Sequence, residues 1–337
     1  MHEIKLSEFE ISRGEEMDAI GIDIAKRKFD LAWFSGGKLK TKVFENSEQG
    51  HRELLAWLKK QGLTTENCHL AMEATGQYYE PVALALFDAG YTVSVVNPLQ
   101  IKAFGESLMR RQKTDRADAE LIARFCEVNK PQPWHAPPPR VRELQRLLAR
   151  LEAVQAMHVE EQNRRHEAQG FTLESVRRVI ETLDLEIAYL EDQIRDHIDR
   201  HPDLRDQDKL LQSIPGVGPV VSRYAIAWLR GERFDDVRQA VAFVGLSPRH
   251  RQSGDSIRGK SHISRVGHRR LRKILYWPAI SAMRYNVAAA ALKQRITASG
   301  KTTKVALIAV MRKLVHWIIG VLKSGKPFDV NLALARI

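Results

Sequence analysis

The chain has 337 residues, a net charge of +12 and a pI near 9.7. This length allows two or three domains with proper cores, and so basic a chain most often meets nucleic acid, a membrane surface being the other common partner. No apolar segment of a signal peptide opens the sequence, and the two cysteines, Cys68 and Cys126, lack the spacing of a zinc site. We therefore expect reduced core thiols in a cytoplasmic protein.

The first third of the chain predicts a mixed α/β sheet. Residues 18–34 indicate two short strands and residues 39–45 a third, followed by a helix that ends at Gly62. A strand ending at Glu73, another helix and another strand come next. Strands that come first and then alternate with helices are typical of such a sheet. The basic segment 101–115 is expected to be loop-like up to its acidic end.

Four carboxylates in this region suggest a metal site. Asp23 interrupts the apolar run AIGIDIAKRKFDLAWF, where a buried carboxylate is unfavourable unless it is paired or bound to a cation. Glu73 ends an apolar strand, and Asp115 and Asp118 share one side of a helix start. Gathered at one sheet edge, they could hold Mg²⁺ or Mn²⁺, and two such ions would clamp a phosphodiester. For Asp23 alone, a hydrogen-bonded core residue is an equal alternative.

Residues 131–139, PQPWHAPPP, predict a stiff linker before two long polar helices at 140–168 and 171–200. The apolar residues of these helices alternate spacings of three and four, which is typical of a coiled coil and predicts dimerisation. The helices could fold back on each other as a hairpin or meet another subunit. The predicted seam contains Leu144, Leu147, Leu151, Val154, Val176, Ile180, Leu183, Ile187, Leu190 and Ile194.

The last third predicts a DNA-binding helical domain. The turn IPGVGP between two apolar helices indicates a helix-hairpin-helix, whose backbone amides can approach a phosphate. A cationic segment follows, and then apolar helices at 272–293 and 302–323. The second of these carries Arg312, Lys313 and His316, so it is expected to be a buried helix and not a membrane span. The residues predicted to contact nucleic acid are Gly216, Gly218, Arg249, Arg251, Arg258, Lys260, Arg265, Arg269 and Arg270.

Ser253, in the cationic stretch RHRQSG, could attack a phosphorus while arginines stabilise the phosphoryl oxygens. This stretch alone favours the alternative, a flexible loop whose cations only bind DNA. Ser256 and Ser261 are competing serines, and Ser264 is expected to cap a helix. The histidines of this segment lack zinc spacing and are expected to contact phosphate or solvent; they are His250, His262 and His268.

Six motifs in order resemble the insertion-sequence-110 family of DEDD transposases, also described as bridge-RNA-guided recombinases. The motifs are GIDIAKRKFD, MEATGQYYEPVALAL, KTDRADAELIA, IPGVGPVVS, GLSPRHRQSG and GKSHISRVGHRRLR. The resemblance covers nearly the whole chain. It implies an α/β RuvC-like domain of RNase H fold at 1–135, coiled-coil helices at 136–200 and an all-α transposase domain at 201–337. It implies a metal site of Asp23, Glu73, Asp115 and Asp118, and the nucleophile Ser253.

The resemblance also implies partners: donor and target DNA, a structured noncoding guide RNA and a tetrameric synapse of a bacterial protein that joins the nucleoid when active. Candidate RNA contacts are Lys102, Arg110, Arg111 and the helix 140–168. The expected reaction cuts and rejoins DNA through a phosphoserine with help from a divalent metal. The main alternative is a RuvC-like junction-resolving endonuclease that uses metal and water. A sugar-kinase-like or actin-like ATPase and a non-catalytic DNA-bridging protein are more distant alternatives.

Overall fold

The computed structural model describes residues 17–35, 37–74, 76, 78–109, 114–230, 234–249, 252–253, 257–258, 262–264 and 266–335. The chain divides into two compact units, Met1–Ala136 and Pro137–Ile337. The long helices after the proline segment share one apolar core with the helices that follow them. The separate coiled-coil domain at 136–200 stays a prediction.

The first unit is built on a mixed five-stranded sheet in the order β3-β2-β1-β4-β5. Strand β1 is antiparallel to β2 and parallel to β4, β2 is antiparallel to β3, and β4 is parallel to β5. The mixed sheet predicted from the sequence is therefore confirmed. Its elements are β1 Asp18–Ile24, β2 Lys28–Ser35, β3 Lys38–Glu45, α1 Glu48–Lys60, β4 Cys68–Glu73, α2 Glu80–Asp88, β5 Thr92–Val96, α3 Pro98–Ser107 and α4 Asp115–Asn129.

The two faces of β1 differ because side chains alternate along a strand. Ile20 and Ile22 are fully buried in a core that also contains Leu54 of α1. On the opposite face, α4 packs closely on β1. A Cβ at Gly21 would overlap the carbonyl oxygen of Ala119 and the amide nitrogen of α4's Ala123. A glycine at this position is therefore what allows α4 to rest directly on the strand.

The loop predicted for 101–115 is wrong over its first part, where α3 forms. The side chain of Asn97 accepts a hydrogen bond from the Leu99 amide at 2.9 Å, and Pro98 fits the first helical turn. Ile101 is buried, and the ring of Phe104 packs against Phe125 with centroids 5.5 Å apart. Capping and apolar contacts on one side thus outweigh the basic composition. Arg110, Arg111 and Lys113 lie outside the described residues.

The proline segment begins as part of the first unit. The Trp134 amide donates to the Val93 carbonyl at 2.6 Å, and its ring lies 5.9 Å from that of Phe87. Ser94 Oγ donates to the Gln132 carbonyl at 2.7 Å. Residues up to Trp134 therefore pack along strand β5 at the edge of the sheet, and they do not serve only as a spacer.

Over its described residues, the second unit is mainly helical and has four two-residue strands. Its elements are α5 Pro139–Arg165, α6 Gly170–Arg200, α7 Pro202–Gln212, α8 Pro219–Trp228, α9 Val237–Val244, β6 Pro248–Arg249, β7 Gln252–Ser253, β8 Ile257–Arg258, β9 His262–Ile263, α10 Arg269–Ile274, α11 Tyr276–Tyr285, α12 Val287–Ala298, α13 Thr303–Ser324 and α14 Val330–Leu334.

Helices α5 and α6 fold back on each other as a hairpin. His158 Nε2 lies 3.0 Å from Asp184 Oδ1, and Arg150 Nη2 lies 3.9 Å from Glu186 Oε1. Most of the buried apolar residues lie toward the base of the hairpin, and the side chain of Phe171 near its tip is 92% exposed. The contacts within one chain fit the hairpin alternative. Pairing with a second subunit stays a prediction.

The helix predicted at 272–293 is instead α10, α11 and α12. The break between α11 and α12 is made by Asn286, which is 1% exposed. Its Oδ1 accepts from the Ala288 and Ala289 amides at 3.0 and 3.2 Å, and this starts a new helix. Within the described residues, α13 is the one helix long and apolar enough to cross a membrane. More than half of that stretch is buried inside the protein, as expected for the predicted core helix.

Candidate active site and nucleic-acid interface

Asp23 and Glu73 lie at the same end of two neighbouring strands, β1 and β4. In the parallel pairing of β1 and β4, Ile22 lies opposite Met72, so the next residue of each strand is a carboxylate. Helix α4 packs on β1. It begins after Thr114, whose side-chain oxygen accepts a hydrogen bond from the Ala117 amide at 3.2 Å. The first turn of α4 contains Asp115 and Asp118.

The other three predicted carboxylates act electrostatically on Asp23. Burial raises the pKa of Asp23 to about 6, and the negative charges of Asp118, Asp115, Glu73 and Asp30 add to this effect. Like charges disfavour ionisation of a half-buried carboxyl group. Asp23 is therefore a half-buried carboxyl group that has other negatively charged groups around it at the end of β1.

Two members of this cluster were missed in the sequence. Asp30 lies directly opposite Asp23 in the antiparallel β1–β2 pair. Lys28 Nζ is 3.1 Å from Asp30 Oδ2 and 2.9 Å from Asp115 Oδ2. The hydrogen bond from Lys28 lowers the pKa of Asp115. The alternation Lys28-Phe29-Asp30 is the signal that could have placed both polar residues on one face of β2.

The side chains of the cluster have the right chemistry for a divalent cation, but they are not spaced closely enough to bind one as they stand. Carboxylate oxygens are the ligands that Mg²⁺ and Mn²⁺ prefer, and the charges of the neighbouring acids add to the effect of burial on the pKa of Asp23. Yet within the described residues no three Asp, Glu, His or Cys side chains converge closely enough to hold a metal ion. The Lys28 ammonium contributes positive charge by bridging Asp30 and Asp115. The acids are thus gathered at one place without forming a closed ligand shell.

The predicted cationic loop around Ser253 contains a β-hairpin. Its inner pairs are Gln252 with Arg258 and Ser253 with Ile257, so the serine lies beside the hairpin turn. Its outer pairs are Pro248 with Ile263 and Arg249 with His262. Arg249 is exposed. The residues named as candidates in this segment that lie outside the described ones are His250, Arg251, Ser256, Lys260, Ser261 and Arg265.

His268, and not Ser264, caps α10. His268 Nδ1 accepts from the Leu271 amide at 3.2 Å, and the ring packs 5.1 Å from Trp228 and 5.6 Å from Phe243. His268 thus has a structural role, and its predicted phosphate or solvent contact stays a prediction. Ser264 instead helps close the hairpin, since its amide donates to the Ser247 carbonyl at 2.8 Å.

Arg270 anchors α10 to α5, and its predicted contact with nucleic acid stays a prediction. Its Nη1 lies 2.6 Å from Glu152 Oε1, and its Nη2 donates to Gln155 Oε1 at 3.2 Å. The guanidinium also lies over the ring of Tyr224, 5.5 Å from the centroid, and the side chain is 18% exposed. These contacts give Arg270 a structural role. Its neighbour Arg269 is exposed and remains a predicted nucleic-acid contact.

The turn between α7 and α8 has one packed and one open glycine. Gly216 has φ +102°, and a Cβ there would lie 2.9 Å from the Pro278 carbonyl oxygen of α11. Asn286 Nδ2 donates to the Pro215 carbonyl at 3.3 Å. Gly216 is therefore needed for packing. Gly218 begins α8 with open space around it, and its predicted phosphate contact is untested.

Comparisons with known proteins agree with one another. A transposase family model, DEDD_Tnp_IS110, matches residues 20–168, and a model described as transposase of the IS116/IS110/IS902 family matches residues 208–294. Pilin gene-inverting proteins of Moraxella bovis and Moraxella lacunata are each 34% identical over 320 residues, which cover 93% of this chain and 98% of theirs. An uncharacterized 43.6 kDa protein of insertion element IS110 from Streptomyces coelicolor is 29% identical over 42% of this chain and 34% of its own.

Among solved structures, T. thermophilus RuvC in complex with a Holliday junction substrate is 18% identical and has a TM-score of 0.25. It covers 35% of this chain and 99% of that chain, and at this level the likeness carries no argument. The sequence relatives define an enzyme that rearranges DNA, a transposase or recombinase. The chain belongs to the IS110 family of transposases, as the six sequence motifs predicted.

Proposed function

We propose that this transposase cuts and rejoins DNA strands through a covalent bond to Ser253, with help from the carboxylates of the first unit. The observation that carries the proposal is the cluster at the end of β1. Three separate elements, β1, β4 and α4, supply the four predicted acids, and the pKa of Asp23 is raised to about 6 by burial and by the charges of its neighbours. Such crowding opposes folding, so it is typical of a functional site.

In the proposed step, Ser253 Oγ attacks the phosphorus of a DNA phosphodiester. The Oγ–P bond forms as the bond from phosphorus to the 3′ oxygen breaks, and that oxygen takes up a proton and leaves as a 3′-hydroxyl. The serine proton passes to water, and a divalent cation beside the attacking hydroxyl would favour its loss. Attack of another strand's 3′-hydroxyl on the phosphoserine reverses the step and rejoins DNA without ATP.

Asp23, Glu73, Asp115 and Asp118 would hold the divalent cation, Mg²⁺ or Mn²⁺. When bound, it would neutralise charge on the phosphate and on the attacking oxygen. Lys28 would then have to release Asp115, to which it is hydrogen-bonded. The strand order 3-2-1-4-5, with β2 antiparallel to β1, supports the RuvC-like, RNase H type fold for this unit.

The proposed partners are donor and target DNA and a structured guide RNA in the cytoplasm, at the nucleoid when the enzyme is active. We also propose that dimers form through the α5–α6 hairpin and associate as tetramers in the synapse. Exposed apolar residues support a contact along α6, because Phe171, Leu185 and Tyr189 are 92%, 73% and 57% exposed.

The carboxylates belong to the first compact unit and Ser253 to the second. We propose that one protomer's acids serve another protomer's serine, so that a lone protomer does not cut. Mixing Asp23→Ala protein with Ser253→Ala protein tests this arrangement. Recovery of cleavage in the mixture is expected, and the absence of recovery would argue for a site within one protomer.

The direct experiment incubates the purified protein with the element's noncoding RNA, end-labelled DNA and Mg²⁺. A protein–DNA band that survives denaturation is expected for the wild type. The band should be absent for Ser253→Ala and present for the matched control Ser256→Ala. Metal-dependent cleavage without any such band, unaffected by Ser253→Ala, would support the junction-resolving endonuclease that uses water.

A further inference from the structure

The net positive charge of the chain is concentrated in one segment. From Ser256 to Phe328 the sequence has 16 Lys and Arg residues and no Asp or Glu. Without them, the 53 cations of the chain fall to 37, against 41 acids. The surface that attracts a polyanion must therefore be sought on the helices of this segment.

Within that segment, Trp277 is an unusually exposed aromatic residue. Its side chain is 73% exposed, whereas tryptophan is normally well buried on average. Among the described residues, every other tryptophan is buried or half-buried. The ring of Tyr276, 44% exposed, stands edge-on to that of Trp277 with centroids 5.5 Å apart at 89°. One face of α11 thus presents a pair of rings to solvent.

Cations accompany these rings. Arg284 lies seven residues after Trp277 on α11, which is two turns along the same face, and it is exposed. Lys273, at the end of α10, is exposed one turn before the ring. Helix α10 follows directly on the hairpin that contains Ser253. The neighbouring part of α11, at Pro278 and Ala282, supports the turn of the helix-hairpin-helix.

We propose that Trp277 and Tyr276 form a stacking site for an unpaired base of single-stranded DNA. Bases stack readily on exposed aromatic rings, and nearby cations hold the adjoining phosphates. Lys273 and Arg284 supply those cations. A base within a duplex offers no free face to a ring, so the site takes strands that have been separated from their partners.

Two other occupants fit less well. A second copy of this face would bring cations against cations, since the segment has no acid with which to pair them. RNA would satisfy the same chemistry, but the family's established action is on DNA. The proposal rests on membership of this family and on the surface itself. It does not depend on Ser253 being the nucleophile.

The test measures binding of full-length protein to a fluorescently labelled single-stranded oligo-dT by anisotropy, without divalent cation, so that no cleavage takes place. Trp277→Ala should weaken binding by about 5- to 150-fold, the range expected for loss of one stacked base. Trp277→Phe, which keeps a ring, should stay within a few-fold of the wild type. Leu332→Ala, which removes an exposed apolar side chain on α14, is the control and should have no effect.

An oligomer with abasic sites separates stacking from phosphate contacts. Trp277→Ala and wild type should bind the abasic strand equally, and both should bind duplex DNA equally. Equal losses on dT and abasic strands would overturn the proposal, as would no loss on dT. Loss of single-stranded RNA binding with DNA binding intact would overturn the assignment to DNA. A changed sedimentation coefficient with DNA binding intact would show a contact between copies and would also overturn it.

Discussion

The carboxylate cluster of the first unit and the serine segment of the second are supported in different ways. The acids lie on strands and a helix start that are fixed by close packing, with Gly21 allowing α4 to rest on β1. Ser253 lies on a two-residue strand that, within the described residues, pairs only with the two-residue strand β8. The first region brings several negative charges close to the half-buried Asp23, which is unfavourable for folding. In the second region, Arg270 makes structural contacts, whereas its neighbour Arg269 is exposed to solvent.

The largest expected effect on folding comes from Gly21→Ala. Its Cβ would collide with the backbone of Ala119 and Ala123, so α4 must move away from β1. We expect destabilisation of about 1–3 kcal/mol or more, as overpacking of a rigid contact gives. Thermal and urea unfolding would measure it. The control Gly320→Ala, with open space around it on α13, should be neutral or slightly stabilising, and equal behaviour of the two variants would contradict the close packing.

Arg270 and Arg269 are adjacent cations that should behave oppositely. Arg270→Ala removes the contacts to Glu152 and Gln155 and should lower stability by roughly 1–2 kcal/mol. Arg269→Ala should change stability by less than about 0.5 kcal/mol. It should instead weaken DNA binding and reduce the salt dependence by about one ion. Unfolding curves and salt titrations of both proteins provide the comparison, and a reversed pattern would show that the two roles have been exchanged.

Asp23 should make stability fall with rising pH. Its pKa in the folded protein is about 6, above the ordinary value of 3.8, so its stabilising protonated form is lost as pH rises between these values. Asp23→Asn should therefore raise the melting temperature at pH 7 and have little effect near pH 4. Calorimetry in the presence of a chelator would measure this. A lower melting temperature for Asp23→Asn at pH 7 would contradict the burial and charge crowding of Asp23.

Lys28→Gln should have the smallest effect. Without the Lys28 ammonium, the pKa of Asp115 should rise toward its ordinary value and the cluster should become more negative. We expect Mn²⁺ to bind a few-fold more tightly, because it no longer competes with the lysine. Calorimetric titration against Lys26→Gln, a change at a neighbouring exposed lysine, would measure the difference. Weaker binding by the Lys28 variant would show that the lysine supports the site.

The sequence predicted the sheet and the four acids because apolar strands interrupted by single carboxylates have a clear pattern. It missed Asp30, since only the pairing of β1 with β2 shows that this residue faces Asp23. It could not separate Arg270 from Arg269, because the partner Glu152 comes more than a hundred residues earlier. Nor could it divide α11 from α12. The cap by Asn286 is combined with its hydrogen bond to Pro215, a residue of the distant hairpin turn.

The most direct measurement locates the DNA on the protein. Adducts formed with guide RNA, DNA and Mg²⁺ would be digested with protease and nuclease, and the peptide carrying the remaining nucleotide would be sequenced by mass spectrometry. The nucleotide is predicted on Ser253 in the wild type, with no adduct for Asp23→Ala protein alone. A nucleotide on Ser256 or Ser261, or unchanged adduct without the Asp23 carboxylate, would contradict the joint action of acids and serine.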